Sequence, residues 1–389
     1  MNKVWYSDYE LLRDNVQKLK TEYGAICDKL GASHSKVLDE IWHELLARAV
    51  KESNWQEGLE LSDPRTQELA SEAFHDQFQT VIPKVDFPKL LKIHRQRVSI
   101  LKKSKCSIEE IGAYNLSAAY YFAKHIVIEM TNIQLARLGK LIVVLFENWG
   151  EMKKHIKVDS KKKLASLKKE LARAYKDVKE STSSKTALTL PFVAPIKTEG
   201  EYQSKLLDVK VGKLQSPFTI DHIHFFHKLI LVGICNDKVC GRLRKKAVHV
   251  GVPDVLFPPP SLVPGLVTEF CKGFPDLTRT LEKYDPILKA AEISYKFVAI
   301  HPYLDGNGRV SRILMNLILY PEFKLPVYLK SNKTGRHRYA VALKRANNGN
   351  IEPLACLIAM SLKEIYEKLI KTVSPLMSKT SKKSTVRVT

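Results

Sequence analysis

The stretch HPYLDGNGRVSR at 301–312 constrains the fold more than any other part of this sequence. Upstream of it, Asp285 is a preferred N-cap residue and Pro286 suits the first position of a helix. Pro302 disfavours helical backbone in the residue before it, so this helix is predicted to end near His301. Apolar periodicity resumes after the stretch. The sequence therefore predicts a tight turn that joins two helices.

Apolar residues at helical spacing predict the buried faces of the two flanking helices. They are Leu288, Ala291, Tyr295 and Val298 upstream, and Val310, Leu314 and Leu317 downstream. Pro321 is predicted to close the second helix. The region around the turn is therefore expected to be helical and largely buried.

The turn combines residues that suit phosphate binding. Gly306 and Gly308 have no side chain, so their backbone can approach a phosphate closely, and a helix start offers unpaired amides. Arg309 and Arg312 stand near this helix start, where the amides disfavour a cation by roughly 0.3–1 kcal/mol. An anion bound there would satisfy both features. We expect a phosphate cradle.

Two further residues in the turn add chemistry to the cradle. His301 can take a proton from a hydroxyl near neutral pH. Asp305 is a hard oxygen ligand of the kind that Mg²⁺ uses when phosphates complete its shell. An Asp-capped turn is the alternative interpretation of an isolated DGNG. A calcium loop does not fit, because the Asp/Asn alternation stops at Arg309 and position twelve is Asn316.

The full string is similar to the signature of the Fic family, His-Pro-Phe-x-Asp/Glu-Gly-Asn-Gly-Arg-x-x-Arg, with Tyr303 in place of Phe. This resemblance implies a mainly α-helical protein, built as a Fic-type helical bundle with a small β-hairpin flap and an additional N-terminal helical region. The expected parts are an N-terminal helical region at 1–180, a linker at 181–217, a Fic core at 218–362 and a disordered tail at 373–389.

The resemblance also implies a reaction, the transfer of AMP from ATP, with Mg²⁺, to a Ser, Thr or Tyr hydroxyl of a target protein. It assigns His301 as the base and Asp305 as the metal ligand. It further assigns a nucleotide-binding set, which comprises Gly306, Asn307, Gly308, Arg309, Arg312 and Tyr339, the last in the family's Tyr-x-x-Ala-Leu position. Related members move UMP, phosphate or phosphocholine, or remove AMP, so these chemistries remain alternatives.

A short pattern near the N-terminus implies regulation. Helices are expected at 8–30 and 36–52, the second with Ile41, Leu45, Leu46 and Ala49 on one face. After it, Ser53, Glu57 and Gly58 match the family's inhibitory pattern Ser/Thr-x-x-x-Glu-Gly/Asn. Glu57 is expected to pair with Arg312 and so to keep ATP from seating properly. The alternative is a solvated Glu before a C-capping Gly.

The segment VHVGVPDVLFPPP after the GRLR at 241–244 is expected to form the flap. By resemblance, this hairpin pairs with an extended segment of the target protein, as a free strand edge can. Its predicted residues are His249, Val250, Gly251, Val252, Pro253, Asp254, Val255 and Leu256. A polyproline ligand for another protein module is the alternative interpretation of the three prolines.

The chain carries 63 Lys and Arg against 41 Asp and Glu, a formal charge of +22 that favours acidic partners in general. The Lys-rich stretch at 152–180 is interpreted as a solvated helix face or, alternatively, as a surface for an acidic or anionic partner. A basic RNA- or DNA-binding protein without catalysis is the alternative from another class, although no nucleic-acid motif is present.

Several patterns favour a cytoplasmic protein. The N-terminus lacks an apolar signal core, and the longest apolar run, LIVVLF at 141–146, is too short to span a bilayer. The polar, basic tail leaves an exported effector as the alternative location. His222, His224 and His227 are interpreted as packing or surface residues rather than metal ligands, because no carboxylate completes a set.

Overall fold

The computed structural model describes residues 5–6, 8–30, 35–78, 87–147, 218–248, 256–274 and 285–384, together with seven separate positions between 165 and 176. Over these residues the chain is mostly helical and contains no strand. One compact unit combines Met1–Val127 with Phe218–Thr389, and a second comprises Ile128–Pro217. The mainly α-helical fold expected from the sequence is confirmed.

The helices in the described ranges are bounded as follows: α1 Tyr9–Leu30, α2 Ser35–Gln56, α3 Asp63–Phe78, α4 Phe87–Lys103, α5 Ile108–Glu147, α6 Ile220–Leu231, α7 Val263–Lys272, α8 Pro286–Ile300, α9 Asn307–Phe323, α10 Lys333–Asn347 and α11 Glu352–Ser384.

Helix α2 buries the face that its periodicity predicts. Ile41, Leu45, Leu46 and Ala49 are all buried. The helix continues to Gln56, four residues beyond the expected end, and Gly58 then adopts φ +78. This left-handed conformation suits a residue without Cβ and ends the helix. Glu57 consequently lies in the turn directly after the last helical residue.

Helix α8 starts as predicted but buries a different face. The Asp285 carboxylate accepts hydrogen bonds from the amides of Ile287 and Leu288, at 2.9 and 3.2 Å, which satisfies two donors of the first turn. The expected stripe is wrong, because Leu288, Tyr295 and Val298 are only partly buried. The buried residues are Ile287, Ala290, Ala291, Ile293, Ser294 and Phe297.

The buried face of α8 also includes a polar residue, Ser294. Its hydroxyl hydrogen-bonds with the hydroxyl of Ser311 on α9 at 2.8 Å, and the Ser311 hydroxyl also donates to the Ser294 carbonyl at 3.0 Å. The pair satisfies its own polar atoms, so it packs inside the contact between α8 and α9. A periodicity that counts only apolar residues omits such a position.

Helix α9 lies at the centre of its unit and is buried on nearly all sides. Val310, Leu314 and Leu317 are fully buried, as predicted. The predicted end at Pro321 is wrong, since the helix continues to Phe323. Lys324 ends it instead, with φ +56 and its amide bonded to the Tyr320 carbonyl at 2.9 Å. Pro321 lies in the last turn, where the loss of one backbone donor is tolerated.

Several predicted segments lie wholly or partly outside the described residues. They are the linker at 181–217, the flap at 249–255 and most of the Lys-rich stretch at 152–180. A disordered tail was predicted at 373–389; α11 is helical through Ser384, and 385–389 are not described. Within the described ranges, no helix is long and apolar enough to cross a membrane.

Candidate active site

His301 stands at the end of α8 in a left-handed conformation, with φ 48 and ψ 59. Its amide donates to the Phe297 carbonyl at 3.1 Å and so completes the helix end. Nδ1 lies 3.3 Å from the Val298 carbonyl oxygen. Because a carbonyl oxygen only accepts, Nδ1 carries the hydrogen in this contact. The lone pair on Nε2 is therefore left to accept a proton.

The surroundings of His301 keep its imidazole neutral near pH 7. The ring is half-buried, with the Phe257 ring centroid 4.1 Å away. Burial lowers the pKa of His301 below its ordinary value, and the positive charge of Arg244 lowers it further, while Glu57 and Asp305 oppose these effects. A neutral imidazole can act as a general base.

Arg244 holds the end of α8 in place. Its Nε donates to the His301 carbonyl at 2.7 Å, Nη2 to the Pro258 carbonyl at 2.6 Å and Nη1 to the Lys246 carbonyl at 3.2 Å. Only 3% of the residue is exposed. A cation at a helix C-terminus is also favoured by the helix dipole. The GRLR pattern in the sequence does not indicate this role of Arg244.

The turn after His301 is closed by Asn307 and Asp305. The Asn307 side chain accepts from the Tyr303 amide at 3.0 Å and donates to the Tyr303 carbonyl at 2.8 Å. The Asp305 Oδ1 accepts from the Gly306 amide at 2.5 Å. Gly306 has φ +80, which favours glycine. Both polar ends of the Asn307 amide are therefore used to hold the turn, where the sequence analysis assigned them to phosphate.

His227 on α6 supports the turn from below. Its Nε2 donates to the Asp305 carbonyl at 2.9 Å, and its Nδ1 accepts from the Gly241 amide at 2.7 Å. Burial lowers the pKa of His227 to about 4, so the ring is neutral. Tyr303 stacks on it at 3.6 Å, and its hydroxyl hydrogen-bonds with His224 at 2.8 Å. Tyr303, which replaces the Phe of the family signature, therefore contacts His224 through its hydroxyl and His227 through its ring. The packing interpretation of the histidines does not include these contacts.

Arg309 is a buried cation with two unused donors at the start of α9. Only 3% of the residue is exposed, and its Nε and Nη1 are buried without a hydrogen-bond partner. Its Nη2 lies 3.4 Å from the Asp305 Oδ2. The glycines Gly306 and Gly308 flank the same helix start. A buried guanidinium beside the positive end of a helix can bind an anion, which would satisfy the two donors.

Asp305 presents one carboxylate oxygen toward solvent. Its side chain is 55% exposed, and besides Arg309 its Oδ2 has the Cys235 thiol at 3.9 Å. Across the described ranges, no three His, Cys, Asp or Glu residues meet in a cluster that could hold a metal. A single exposed carboxylate fits Mg²⁺, which commonly takes one or two protein ligands and completes its shell with phosphates and water.

Arg312, one turn further along α9, is bound to the end of α2. Its Nη2 pairs with the Glu57 Oε1 at 2.6 Å and donates to the Ser53 carbonyl at 2.9 Å. Its Nε donates to the Ser53 hydroxyl at 2.6 Å, and its Nη1 to Gln56 Oε1 at 2.8 Å. The predicted pair of Glu57 with Arg312 is therefore formed. Gln56 had no recognisable signal in the sequence.

The Glu57 carboxylate also lies against Gly308 of the turn. A Cβ added at Gly308 would overlap the Glu57 Oε1 and come within 3.2 Å of the Arg312 Nη1. The carboxylate thus lies directly over the N-terminal turn of α9, where the sequence analysis expects a phosphate. An anionic side chain and an anionic ligand would compete for this position.

Tyr339 on α10 lies near this pair. Burial raises the pKa of Tyr339, while the charges of Arg312 and Glu57 act on it in opposite directions. Its hydroxyl is buried without a hydrogen-bond partner. Of the predicted flap, only Leu256 is described, and it is 91% exposed. The described site therefore unites every predicted residue of the turn with Ser53, Glu57 and Tyr339.

Comparison with known proteins identifies the domain that carries this site. Residues 217–319 match the model of the Fic/DOC family. The protein adenylyltransferase fic-1 of Caenorhabditis elegans is 34% identical over 155 residues, 38% of this chain and 28% of that protein. The protein adenylyltransferase Fic of Nematostella vectensis is 36% identical over 141 residues, 36% of this chain and 31% of that protein. Residues 217–319 of this chain are therefore similar to a Fic domain.

The chain matches less than a third of the length of these two relatives. A crystal structure of a Fic domain containing signaling protein from Bacteroides thetaiotaomicron superposes with a TM-score of 0.50 and 13% identity. It covers 93% of this chain and 98% of that chain. At this identity, the similarity shows a shared fold.

Proposed function

We propose that this protein is an adenylyltransferase that moves AMP from ATP to a Ser, Thr or Tyr hydroxyl of a target protein. The observation that carries the proposal is the buried Arg309 guanidinium, whose Nε and Nη1 have no partner, at a helix start formed by Gly306 and Gly308. The adenylyltransferases of C. elegans and N. vectensis support the same reaction, since they are 34% and 36% identical to this chain over 155 and 141 residues.

His301 is the proposed general base. The target oxygen attacks the α-phosphorus of ATP, the bond from that phosphorus to the bridging oxygen breaks, and pyrophosphate leaves. The hydroxyl proton passes to Nε2 of His301, which is open because Nδ1 is bonded to Val298. Such transfers depend mainly on positioning and on stabilisation of phosphate charge. The guanidinium of Arg309 neutralises part of that negative charge, and the amide of Gly308 supplies a further donor, whereas the Gly306 amide is bonded to Asp305.

Asp305 is the proposed Mg²⁺ ligand. When bound, Mg²⁺ would neutralise phosphate charge during the transfer. The exposed Oδ2 of Asp305 is available to it, whereas Oδ1 already accepts from Gly306. His227 fixes the backbone of this residue through the Asp305 carbonyl. The Gly306 amide holds one carboxylate oxygen and His227 holds the backbone, so both contacts orient the Asp305 carboxylate without a bound ligand.

The remaining residues are proposed to orient ATP and its acceptor. Arg312 would hold the γ-phosphate, and Tyr339, whose hydroxyl lacks a partner, would contact the nucleotide. Asn307 contributes by keeping the turn closed. Residues 249–256 are proposed to pair with the target segment. Arg244 bonds both to the carbonyl of Pro258, two residues after this range, and to the carbonyl of His301 at the end of α8.

Glu57 is proposed to inhibit the enzyme. It occupies the Arg312 guanidinium and the space above Gly308, so ATP would bind with its γ-phosphate displaced and its α-phosphorus badly aligned for attack. Charge-assisted pairs of this type are strong when buried, and Arg312 is 3% exposed. The resting enzyme is therefore expected to be slow.

Labelled nucleotides test this proposal. Purified protein with Glu57→Gly is incubated with Mg²⁺, a cell lysate and ATP labelled at either the α- or the γ-phosphate. AMP transfer places only the α-label on protein. Label from the γ-position indicates phosphate transfer, and label from α-labelled UTP indicates uridylylation. No label on protein with any of these, from a folded enzyme, would contradict transfer. Bound RNA without label would favour the nucleic-acid-binding alternative.

A further inference from the structure

We propose that Glu52 is a positioning residue for the inhibitory Glu57, because its bonds to Ser331 hold the end of α2 against the Fic domain. This pair of residues is called the Glu52–Ser331 anchor. The proposal rests on inhibition by Glu57 as described above. It adds that the inhibitory contact depends on a second, buried carboxylate that touches no part of the ATP site.

The end of α2 cannot hold Glu57 in place by itself. Glu57 follows the last helical residue, and its amide donates to the Asn54 carbonyl at 2.9 Å in a tightened final turn. Gly58, in the left-handed conformation, lets the chain leave directly afterwards. Helix ends open readily, since their last carbonyls lack partners within the helix. The position of Glu57 must therefore be set by contacts with other elements.

Glu52 provides such a contact one and a half turns earlier. Its Oε2 accepts from the Ser331 amide at 2.7 Å and from the Ser331 hydroxyl at 2.6 Å. Its Oε1 pairs with the Arg48 guanidinium at 2.6 Å. Both Glu52 and Ser331 are buried, at 6% and 1% exposure. Hydrogen bonds to a buried charge are roughly twice as strong as neutral ones, and breaking them leaves the charge unpaired.

Ser331 lies in the segment at 324–332, which joins α9 to α10. Asn316 on α9 ties this segment to the catalytic helix, because it donates to the Val327 carbonyl at 2.9 Å and accepts from the Val327 amide at 2.7 Å. The same Asn316 amide donates to the Arg312 carbonyl at 2.9 Å. The anchor therefore fixes α2 to a segment that is itself registered on Arg312.

Gln56 connects the anchor to the inhibitory contact. Its Nε2 donates to the Leu329 carbonyl in the same segment at 3.1 Å, and its Oε1 accepts from Arg312 at 2.8 Å. Glu52, Gln56 and Glu57 thus attach the last turns of α2 at three points. Among the described contacts, Gln56 and Glu57 both bond to Arg312, whereas Glu52 bonds only to Ser331 and Arg48. A change at Glu52 can release Glu57 without altering the residues that bind ATP.

The test uses the full chain with Glu52→Gln, which keeps the shape of the side chain and removes its charge. The amide nitrogen of Gln would replace one of the two oxygens, both of which accept hydrogen bonds from Arg48 or Ser331. One of these hydrogen bonds would therefore be lost, because two donors cannot bond to each other. Ser331→Ala is the milder second variant, since the backbone donor stays. Glu44→Gln is the matched control: Glu44 is on the same helix and pairs with exposed Lys368 on α11. Each change is made alone and together with Glu57→Gly.

Initial rates of label transfer from α-labelled ATP are measured for all variants, with Glu57→Gly alone as the reference for full release. We expect Glu52→Gln to raise the rate by about tenfold, as the loss of one hydrogen bond to a charged group would, up to the level of Glu57→Gly. Ser331→Ala should raise it a few-fold. Glu44→Gln should leave the rate unchanged. On top of Glu57→Gly, no second change should raise the rate further.

Each other outcome has a definite meaning. If Glu57→Gly raises the rate and both Glu52→Gln and Ser331→Ala do not, the anchor proposal is wrong and inhibition by Glu57 stands. If Glu57→Gly leaves a folded enzyme as slow as the wild type, the inhibition proposal fails and the anchor with it. If Glu52→Gln raises the rate further in the Glu57→Gly protein, Glu52 acts on catalysis by another route. A thermal unfolding curve identifies any variant that fails to fold. If Glu52→Gln fails to fold, the rate of Ser331→Ala alone tests the anchor proposal.

Discussion

The turn at 301–312 and the end of α2 lie against each other but are held by different kinds of contact. The turn is closed by bonds between near neighbours, such as those from Asn307 to Tyr303 and from Gly306 to Asp305. The end of α2 is held by bonds to residues far away in sequence, with Glu57 separated from Arg312 by 255 positions and Glu52 from Ser331 by 279.

This difference teaches which part can move without the other. Local bonds close short loops at small entropic cost, so we expect the turn to keep its shape when the contacts of α2 are lost. Such an arrangement would let Glu57 be released while the site stays rigid, as the proposed inhibition requires. Variants in the turn and variants in α2 test the two regions separately.

The largest expected effect is on the base. His301→Ala should lower the rate of AMP transfer by about 10²–10⁴-fold, because proton removal from the acceptor is lost. ATP binding should change little, since His301 contributes no phosphate contact. Rates and calorimetric ATP affinity are measured together. His222→Ala, at the start of α6, is the matched control. A loss of affinity as large as the loss of rate would show that His301 holds the turn instead.

Next in size is the effect of Asp305→Ala. Its carboxylate is the proposed Mg²⁺ ligand, so the variant should need about tenfold or more Mg²⁺ for half-maximal rate, and added Mg²⁺ should recover part of the activity. Titration of the rate with Mg²⁺ gives this value. Asp237→Ala, an exposed carboxylate outside the turn, serves as the control. Equal Mg²⁺ dependence in wild type and variant would remove Asp305 from the metal site.

Asn307→Ala breaks the local side of the comparison. Both bonds to the Tyr303 backbone are lost at a residue that is 2% exposed, which should lower the free energy of unfolding by about 1–3 kcal/mol. Denaturant unfolding measures this change. Glu57→Gly, in contrast, removes a contact at a partly exposed helix end and should cost less. Equal destabilisation by the two changes would mean that the end of α2 is as integral to the fold as the turn.

The smallest effect is on the pH dependence. Only neutral His301 can accept the proton, so the rate should fall as pH drops through the pKa of His301. Burial and Arg244 lower that pKa below 6.5, which places the fall on the acid side of pH 6.5. The negative charge of Glu57 opposes this lowering, so Glu57→Gly should move the fall to still lower pH. Rate profiles of both proteins between pH 5 and 8 test the sign; a midpoint above 6.5 in either contradicts it.

The sequence predicts the local parts of this structure well. Asp285 caps α8, Pro302 ends it, and the glycines open α9, all through contacts between adjacent residues. Glu57 was matched to Arg312 because a family pattern supplied the pairing, which charge alone could not. The resemblance to the Fic family is confirmed by the family model over residues 217–319.

The remainder depends on tertiary contacts that leave no periodic signal. The Arg244 guanidinium donates to backbone carbonyls. Because every residue has a backbone carbonyl, the sequence does not indicate which residues are its partners. Glu52 and Gln56 find theirs in a segment nearly 280 positions away. The prediction for the buried face of α8 is wrong because apolar residues lie on both faces, and contacts with other helices, such as the bond from Ser294 to Ser311, select the face that is buried.

The most direct measurement compares transfer of α-label from ATP by the wild type, Glu57→Gly, Glu57→Gln and the double variant of Glu57→Gly with His301→Ala. If the turn is complete and restrained only by the end of α2, Glu57→Gly should exceed wild type by tenfold or more, as the loss of a charge-assisted bond to the buried Arg312 allows. Glu57→Gln should lie between them, because it keeps the shape and loses the charge. The double variant should return to background. A folded Glu57→Gly protein with a rate at or below that of the wild type would contradict the account.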